Sequence, residues 1–340
     1  MTETDTQATS VTAELPQPYL GISPRASLQQ RPSPMPGLCP DIIWSPNVVE
    51  DPQGTFGSAE SWSRMYEVSP RLDADNIYYV RGHNLDDAQP ASGRAMLYWT
   101  QAQLIMWPSL WVDNPLPAGQ DPSSPVSAGA GQIGVTSKAF TWTDTPITSD
   151  ADGYYSFVTQ LSDSSEGPIP PTATSPVDMS VLLARPDLGW RNTSTFVLGE
   201  SSWRRVLDLQ VPASISDPIA AVLYLHGGGL TGATVGLCYG DTFLLSPTRF
   251  AQDDEVLGIS LTLQPGSSTT LAIHFWNTAT TEISPGATLT LSADYSVPNT
   301  QLPEAIRRGI ISGVRTHRLR EAGITPQPTA PLGAATFIAT

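Results

Sequence analysis

Apolar and polar residues alternate with a period of two along the later part of the chain. The clearest run is VLGISLTL at residues 256–263, and TLAIHFW at 270–276 and ATLTLSADY at 287–295 repeat the pattern. In each run every second residue is apolar, as in an antiparallel strand that buries one face. Pro-Gly pairs at 265–266 and 285–286 precede two of these runs and are typical of tight turns. The sequence therefore predicts half-buried antiparallel strands here.

Short β-rich runs also recur through the first part of the chain. They are separated by segments rich in Pro, Gly, Ser and Asp, notably residues 114–131 and 162–176. Many short strands joined by turn residues are typical of a β-sandwich. Further along, AAVLYL at 220–225 predicts a strand, and GGGLTGATVG at 227–236 predicts a flexible connection. The predicted strands of the first part are NIYYVRGHN (76–84), GRAMLYWTQAQ (93–103), KAFTW (138–142), GYYSFVTQ (153–160), VLLAR (181–185) and STFVL (194–198).

Changes in composition divide the chain into four segments. Residues 1–37 are polar and Pro-rich, which predicts an extended arm that either stays disordered or orders against a neighbouring subunit. Residues 38–202 and 203–298 each predict one sandwich. In residues 299–340, apolar residues recur four apart, which predicts a short amphipathic helix followed by a C-terminal tail. These apolar positions are Leu302, Ile306, Ile310 and Val314.

The first predicted sandwich contains a series of short motifs. In order they are PDIIW (40–44), IYYVRGHN (77–84), AMLYW (95–99), WPSLW (107–111) and LLARPDLGWRN (182–192). Over residues 40–200 this series resembles the CARDB-type Ig-like modules of bacterial proteins. The resemblance implies an Ig-like sandwich and a role in adhesion. Together with the alternation, it predicts an all-β fold of tandem Ig-like antiparallel β-sandwiches, with an extended N-terminal arm and a short C-terminal amphipathic helix.

Charge limits the partners that this chain is expected to bind. Its 340 residues carry a formal net charge of −15, which disfavours broad affinity for nucleic acids and anionic membranes. No run approaches the roughly 20 apolar residues that cross a membrane. The first twenty residues lack a basic leader followed by an apolar core. We therefore expect synthesis in the cytoplasm without an ordinary signal peptide, and release within a particle or through a dedicated secretion system.

His226, Gly227, Gly228 and Gly229 form the most enzyme-like motif of the chain. In α/β-hydrolases such a loop supplies main-chain N–H groups to an oxyanion hole, beside a serine in a G-x-S-x-G turn. No serine here has glycine on both required sides, and the residues that follow alternate with a period of two instead of in βα units. A serine esterase is therefore the weakest of three functional alternatives, and no catalytic residue is predicted.

Metal and cofactor sites are not predicted either. His83, His274 and His317 are far apart in the sequence, and His274 is expected on the solvent side of its strand. Cys39 and Cys238 lie in different predicted segments and are expected to be free thiols. Three acidic clusters lack the D-x-D-x-D-G spacing of an EF-hand loop and are interpreted as solvated turns. They are Asp73 with Asp75, Asp86 with Asp87, and Asp253 with Asp254 and Glu255.

Two other groups of residues could contact a partner. Trp107 and Trp111 are interpreted as packing residues, with stacking on a sugar as the alternative. Five arginines are concentrated in fourteen positions near the C-terminal end, and arginine pairs well with carboxylates and phosphates. They are predicted either to dock on an acidic surface, such as that of a neighbouring copy, or to form a solvated helix face. The five are Arg307, Arg308, Arg315, Arg318 and Arg320.

These observations together predict a non-catalytic structural or interaction protein. The expected role is a subunit of a larger assembly, such as a phage-like or injection-type particle, that binds protein partners or further copies of itself. The alternative is an adhesion or carbohydrate-binding β-sandwich protein that recognises a glycan on a cell surface. Neither role requires a cofactor, a metal ion, a nucleic acid or membrane insertion, and both rest on fold and composition rather than on a site.

Overall fold

The computed structural model consists of short antiparallel sheets with few helices. The predicted all-β sandwich fold is confirmed. Four sheets are present among the described residues, two in each half of the chain. The structure describes residues 19, 21–25, 28, 37–66, 70–71, 74–143, 155–165, 167–192, 195–196, 201–278, 282–307 and 328–339.

The first sandwich is organised around one long central strand. Its elements are β1 Ile22–Ser23, β2 Ile42–Ser45, α1 Pro52–Phe56, α2 Ala59–Trp62, β3 Asn76–Asn84, β4 Ala91–Gln101, a 3-10 turn Pro108–Leu110, β5 Ser124–Ala128, β6 Ile133–Val135, β7 Phe140–Trp142, β8 Tyr155–Ser162, α3 Pro176–Leu183 and β9 Leu188–Asn192. The next strand, β10 Thr195–Phe196, pairs within the second sandwich. The first half of β3 pairs with β2 and β7, and its second half with β1 and β6. The facing sheet has the order β5-β4-β8-β9. Tyr78, Phe140 and Phe157 fill the space between the two sheets.

The second sandwich consists of a four-stranded and a five-stranded sheet. Its elements are β11 Ser202–Gln210, β12 Ile219–Gly228, β13 Thr234–Tyr239, β14 Thr242–Arg249, β15 Glu255–Leu263, β16 Ser268–Trp276, β17 Thr288–Ser296, α4 Leu302–Arg307 and β18 Thr329–Ala339. The sheet orders are β11-β16-β13-β14 and β10-β18-β17-β12-β15. Only the short pairing of β10 with β18 is parallel among these neighbours. The alternation predicted for β16 is confirmed, because Leu271, Ile273 and Phe275 lie in the core.

The prediction of a C-terminal tail is wrong for residues 329–339, which form strand β18. Strand β18 pairs antiparallel with β17 from Thr329 to Ile338, with a register shift that accommodates Pro331. Its residues are rich in Ala and Gly and are mostly buried on both faces, so the pattern of period two that marks a half-buried strand is absent. A Cβ on Gly333 would lie 2.1 Å from the carbonyl oxygen of Leu104. Close packing therefore requires small residues at these positions, and small residues buried on both faces give no alternating pattern by which to predict the strand.

Two further predictions about local structure are wrong. Residues 181–185, predicted as a strand, belong largely to helix α3. The Ser175 side chain caps that helix by accepting from the N–H of Asp178, and Pro176 occupies its first turn. A short apolar run cannot be assigned to a strand or a helix by periodicity alone. The predicted loop at 114–131 likewise contains strand β5.

Apolar packing connects the two sandwiches. Trp107 and Trp111 follow β4, are fully buried, and belong to the same apolar cluster as Trp203 of the second sandwich. The main-chain N–H of Leu104 donates to the carbonyl of Asp208 in β11 at 3.0 Å. The sandwiches are therefore joined by packed side chains and main-chain hydrogen bonds as well as by the chain itself.

Candidate functional site

The glycine-rich motif lies at the end of β12. Gly227 and Gly228 belong to the strand and not, as predicted, to a flexible connection. A Cβ on Gly227 would lie 2.9 Å from the ring of Phe250. Gly229 has a φ of +70°, and its N–H donates to the carboxylate of Asp253. This N–H is therefore satisfied within the chain, and the motif makes a tight strand end.

Other polar candidates are distributed without a common centre. Among the described residues, no group of three or more His, Cys, Asp and Glu side chains could hold a metal ion. Cys39 and Cys238 are not joined in a disulfide, as predicted, and both are buried. The interpretation of Asp253, Asp254 and Glu255 as a solvated turn is wrong for Glu255. This residue is 2% exposed, and its side chain accepts from the N–H groups of Ala251 and Gln252. Over the described part of the chain, no helix combines the length and apolar character of a membrane span.

The tryptophan and arginine candidates have different outcomes. Trp107 and Trp111 are 0% exposed, so the packing interpretation is confirmed and sugar stacking on these rings is wrong. Arg307 is the last residue of helix α4. The basic segment as a docking site stays a prediction, because the remaining four residues lie outside the described residues. These four are Arg308, Arg315, Arg318 and Arg320.

Part of the predicted N-terminal arm lies on the first sandwich. Ile22 and Ser23 form β1, which pairs antiparallel with Asn84 and His83 of β3. The Ile22 side chain is 5% exposed and belongs to the apolar core of this sandwich. Residues 21–25 therefore order against their own chain, whereas the sequence predicted disorder or contact with a neighbouring subunit.

Arg25 follows this strand and binds the carboxylate of Asp41. Its Nη2 is 2.6 Å from Oδ1 of Asp41, its Nε is 3.1 Å from Oδ2, and its main-chain N–H donates to Oδ2 at 2.6 Å. The guanidinium carbon lies 3.4 Å from the ring centroid of Trp62. The Arg25 side chain is 8% exposed and that of Asp41 is 0% exposed. A charged pair with two parallel hydrogen bonds is strong and directional in such a site.

Arg81 of β3 binds the same carboxylate from the interior of the sandwich. Its Nε is 2.8 Å from Oδ1 of Asp41. Its Nη1 donates to the carbonyl and hydroxyl oxygens of Ser61 in α2, at 2.8 and 2.9 Å. Burial lowers the pKa of Arg81, and the charge of Asp41 opposes that shift. Asp41 therefore connects the arm to the central strand, and Arg81 extends the connection to helix α2.

A third guanidinium is buried in the same region. Arg191 of β9 is 3% exposed, and its Nη1 donates to the carbonyl of Ile42 at 2.6 Å. Burial lowers the pKa of Arg191 to about 10, so the group is still charged at neutral pH. Burial also raises the pKa of Tyr78 well above its usual value. This interior therefore carries more positive than negative charge around Asp41.

We call Ile22, Arg25, Asp41, Trp62 and Arg81 the arm latch. Its contacts are a short strand pairing, one buried apolar side chain, and one guanidinium held by a carboxylate and a ring. These are the contacts by which a sheet edge binds an extended peptide. The two arm residues that make these contacts, Ile22 and Arg25, lie three residues apart.

Sequence reasoning did not identify the arm latch, although one signal was present. Asp41 directly precedes the apolar residues of β2, and Arg81 lies within the apolar strand β3. A charge in such a strand is buried and requires a partner of opposite sign. The third member, Arg25, lies in the Pro-rich arm, where no local pattern indicates burial.

Comparisons with known proteins give no family. No protein-family model matches the chain, and no curated protein matches it. The resemblance to CARDB-type modules therefore stays a prediction.

Several solved structures are distantly similar to this chain. A red sea bream transglutaminase is 12% identical with a TM-score of 0.21, and the alignment covers 87% of this chain but only 34% of that protein. The MSCRAMM ACE of Enterococcus faecalis is 7% identical with a TM-score of 0.20, covering 79% of this chain and 90% of the other. CfaE, the adhesive subunit of the CFA/I fimbria of enterotoxigenic Escherichia coli, is 8% identical with a TM-score of 0.21, covering 80% of each chain. Scores this low do not show a shared fold.

Proposed function

We propose that this chain is a non-catalytic structural protein that associates with further copies of itself in a larger assembly. The observation that carries the proposal is the arm latch, which holds an N-terminal segment as it would hold a separate peptide. The equivalent segment of a neighbouring copy offers the same isoleucine and arginine. Exchange of arms between copies therefore preserves every contact of the latch, as in other domain-swapped assemblies.

The length of the connecting chain permits this exchange. Residues 26–36 join Arg25 to Gly37, which forms a bridge with Arg191 of the first sandwich. An extended connection of this length spans at most roughly 40 Å. That distance exceeds the diameter of a small domain, roughly 30 Å. An arm can therefore reach the latch of a copy that contacts its own sandwich.

Charge supplies a second contact in the proposed assembly. The net charge of −15 makes the surface of each copy predominantly acidic. The basic segment that contains Arg307 and Arg308 would dock on such a surface, because guanidinium groups pair with carboxylates. In this proposal the subunits are made in the cytoplasm and leave it within the assembled particle.

Light scattering during size-exclusion chromatography tests the proposal. The full chain is expected to form oligomers whose proportion rises with concentration. A synthetic peptide of residues 17–28 should take the place of the arm beside β3 and Asp41 and convert these oligomers to monomers. The same peptide with Arg25→Ala should not. A chain that is monomeric at every concentration, with or without peptide, contradicts self-association through the arm.

Recognition of a glycan on a cell surface is a second candidate function. One observation favours it: Phe243, His274 and Trp276 form an aromatic cluster on the second sandwich. Aromatic side chains combined with a few polar groups are typical of small-ligand sites. This cluster, and not Trp107 or Trp111, is the place where such recognition would occur.

A further inference from the structure

The outer face of the sheet β11-β16-β13-β14 carries aromatic side chains between two arginines. Trp276 in β16 pairs with Thr234 in β13, and Thr234 pairs with Arg249 in β14. His274 in β16 pairs with Arg204 in β11. Paired residues project from the same face, and residues two apart on a strand share a face. These side chains therefore lie on one face, opposite the side of β16 that enters the core.

Three rings meet on this face above a glycine. The ring centroids of His274 and Trp276 are 5.8 Å apart with an interplanar angle of 15°, and those of Phe243 and His274 are 5.9 Å apart. A Cβ on Gly236 would lie 3.2 Å from Cε1 of Phe243 and 3.4 Å from Cζ3 of Trp276. Phe243 is 48% exposed. We call Phe243, His274 and Trp276 the aromatic face. His274 lies on the outer side of its strand, as predicted, and is half-buried.

Two arginines flank the aromatic face, and one acidic residue, Asp241, lies near Cys238 at the end where Phe243 is paired. Arg204 and Arg249 are both exposed and lie on the two outer strands of the sheet. The Nε of Arg249 donates to the carbonyl of Gly232 at 3.0 Å, which orients its guanidinium. Burial and the nearby Arg204 lower the pKa of His274, which favours its neutral form. On β11, Asp208 projects from the same face but pairs with Thr270, well away from Trp276. The aromatic face is therefore an apolar centre between two cations.

The distance between Arg204 and Arg249 indicates how large a ligand could contact both. Three spacings of about 4.8 Å separate β11 from β14, and Arg249 is offset from Arg204 by two residues along the strands, so the two arginines stand roughly 16 Å apart. That distance exceeds one sugar ring and matches a short oligosaccharide. A stable protein interface buries about 800 Å² and about 20–30 residues on each partner, which is much more than three rings and two arginines provide. The repulsion from the overall charge of −15 is screened beyond about 8 Å in physiological salt.

We propose that the aromatic face binds an acidic oligosaccharide, with apolar sugar faces on Phe243, His274 and Trp276 and acidic groups paired with Arg204 and Arg249. The acidic group is a carboxylate or a sulfate, since a guanidinium accepts either in the same geometry. This inference rests on glycan recognition, the second candidate function. The site lies on the second sandwich, away from the arm latch, so its test is independent of arm exchange.

Isothermal titration calorimetry with the full chain tests this site. The probes are hyaluronan oligosaccharides, which carry only carboxylates, heparin oligosaccharides, which also carry sulfates, and neutral cello-oligosaccharides. At least one acidic probe is expected to bind about tenfold more tightly than the neutral probe, as one well-placed charged contact provides. Preference between the two acidic probes identifies the acidic group.

Variants distinguish the aromatic face from general charge attraction. Phe243→Ala and Arg204→Gln alter exposed side chains and are each expected to weaken acidic binding about tenfold, with an unchanged melting temperature. Ile169→Ala, at a residue that is 85% exposed, and Arg71→Gln, beside the ring of Trp44, are matched controls that should bind as the wild type does.

Three results would overturn the proposal. The first is that neither acidic probe binds more tightly than the neutral one. The second is that Phe243→Ala binds like the wild type while salt abolishes binding in both, which indicates charge attraction alone. The third is that poly-glutamate binds more tightly than either glycan, which assigns the surface to an acidic protein partner.

Discussion

Replacement of Asp41 by asparagine removes the charge that holds the arm latch together. The carboxylate of Asp41 accepts hydrogen bonds from Arg25 at three positions and from Arg81 at one. Asparagine preserves the shape of the side chain but presents an NH₂ group where one of these donors now binds. Arg81, which is 0% exposed, then retains only neutral acceptors.

The expected loss of stability follows from this burial. Removal of one partner from a buried ion pair destabilises a protein by about 3–5 kcal/mol, because the remaining charge is left uncompensated. A protein of ordinary stability has only about 5–15 kcal/mol in total. The Arg25 side chain is 8% exposed, so water can solvate it only after the arm leaves the sandwich. Asp41→Asn should therefore both destabilise the chain and release the arm.

Two measurements check this prediction. Urea unfolding followed by tryptophan fluorescence should show a loss of about 3–5 kcal/mol. Limited trypsin digestion should cleave after Arg25 faster in Asp41→Asn than in the wild type. Asp121→Asn is the matched control, because Asp121 pairs with Lys138 at the surface and should change neither result. A loss below about 1 kcal/mol, with unchanged cleavage at Arg25, would refute the account of the latch.

Three other substitutions test the packing and the electrostatics. Gly333→Ala places a methyl group 2.1 Å from the carbonyl oxygen of Leu104 and should lower stability by about 3 kcal/mol in a thermal melt; a change within about 0.5 kcal/mol would contradict the packing of β18. Tyr98→Phe tests the alkaline range: burial raises the pKa of Tyr98 to about 12, so above pH 10 the unfolded chain loses this proton first and the wild type loses stability as pH rises to about 12. The melting temperature of Tyr98→Phe relative to that of the wild type should be higher at pH 11.5 than at pH 9. An equal difference at both pH values would contradict the raised pKa. Trp107→Ala should cost about 3–5 kcal/mol and leave glycan binding unchanged in calorimetry, whereas lost binding by the folded variant would move the sugar site to this residue.

The parts of the fold that sequence patterns predicted are the half-buried strands. β16 was predictable because Leu271, Ile273 and Phe275 alternate with smaller or polar residues and face one core. β18 was not, because its small residues are buried on both faces and show no alternation. Helix α3 was mistaken for a strand because its apolar run is short, although the sequence Ser175-Pro176 already contained a helix start.

The candidate sites depend on contacts that no local pattern encodes. Arg25 is one arginine among the polar residues of the arm, and its role appears only when the fold brings Asp41 and Trp62 to it. The aromatic face likewise combines Phe243 and His274 from strands separated along the chain. Sequence analysis could indicate that Asp41 needs a positive partner, but the identity of that partner follows from the tertiary structure.

Disulfide trapping between two different chains tests arm exchange most directly. Ser23 and His83 are paired across β1 and β3, close enough for cysteines at these positions to form a disulfide. A chain with Ser23→Cys is mixed with a chain with His83→Cys, and a chain with Ser137→Cys at an exposed site serves as the control partner.

If arms exchange, the first mixture forms a disulfide-linked dimer under mild oxidation. The peptide of residues 17–28 suppresses this dimer, and the Ser137→Cys mixture forms none. If the arm binds only its own chain, the disulfide forms within the double variant Ser23→Cys/His83→Cys and never between the single variants, and that result would contradict self-association through the arm latch.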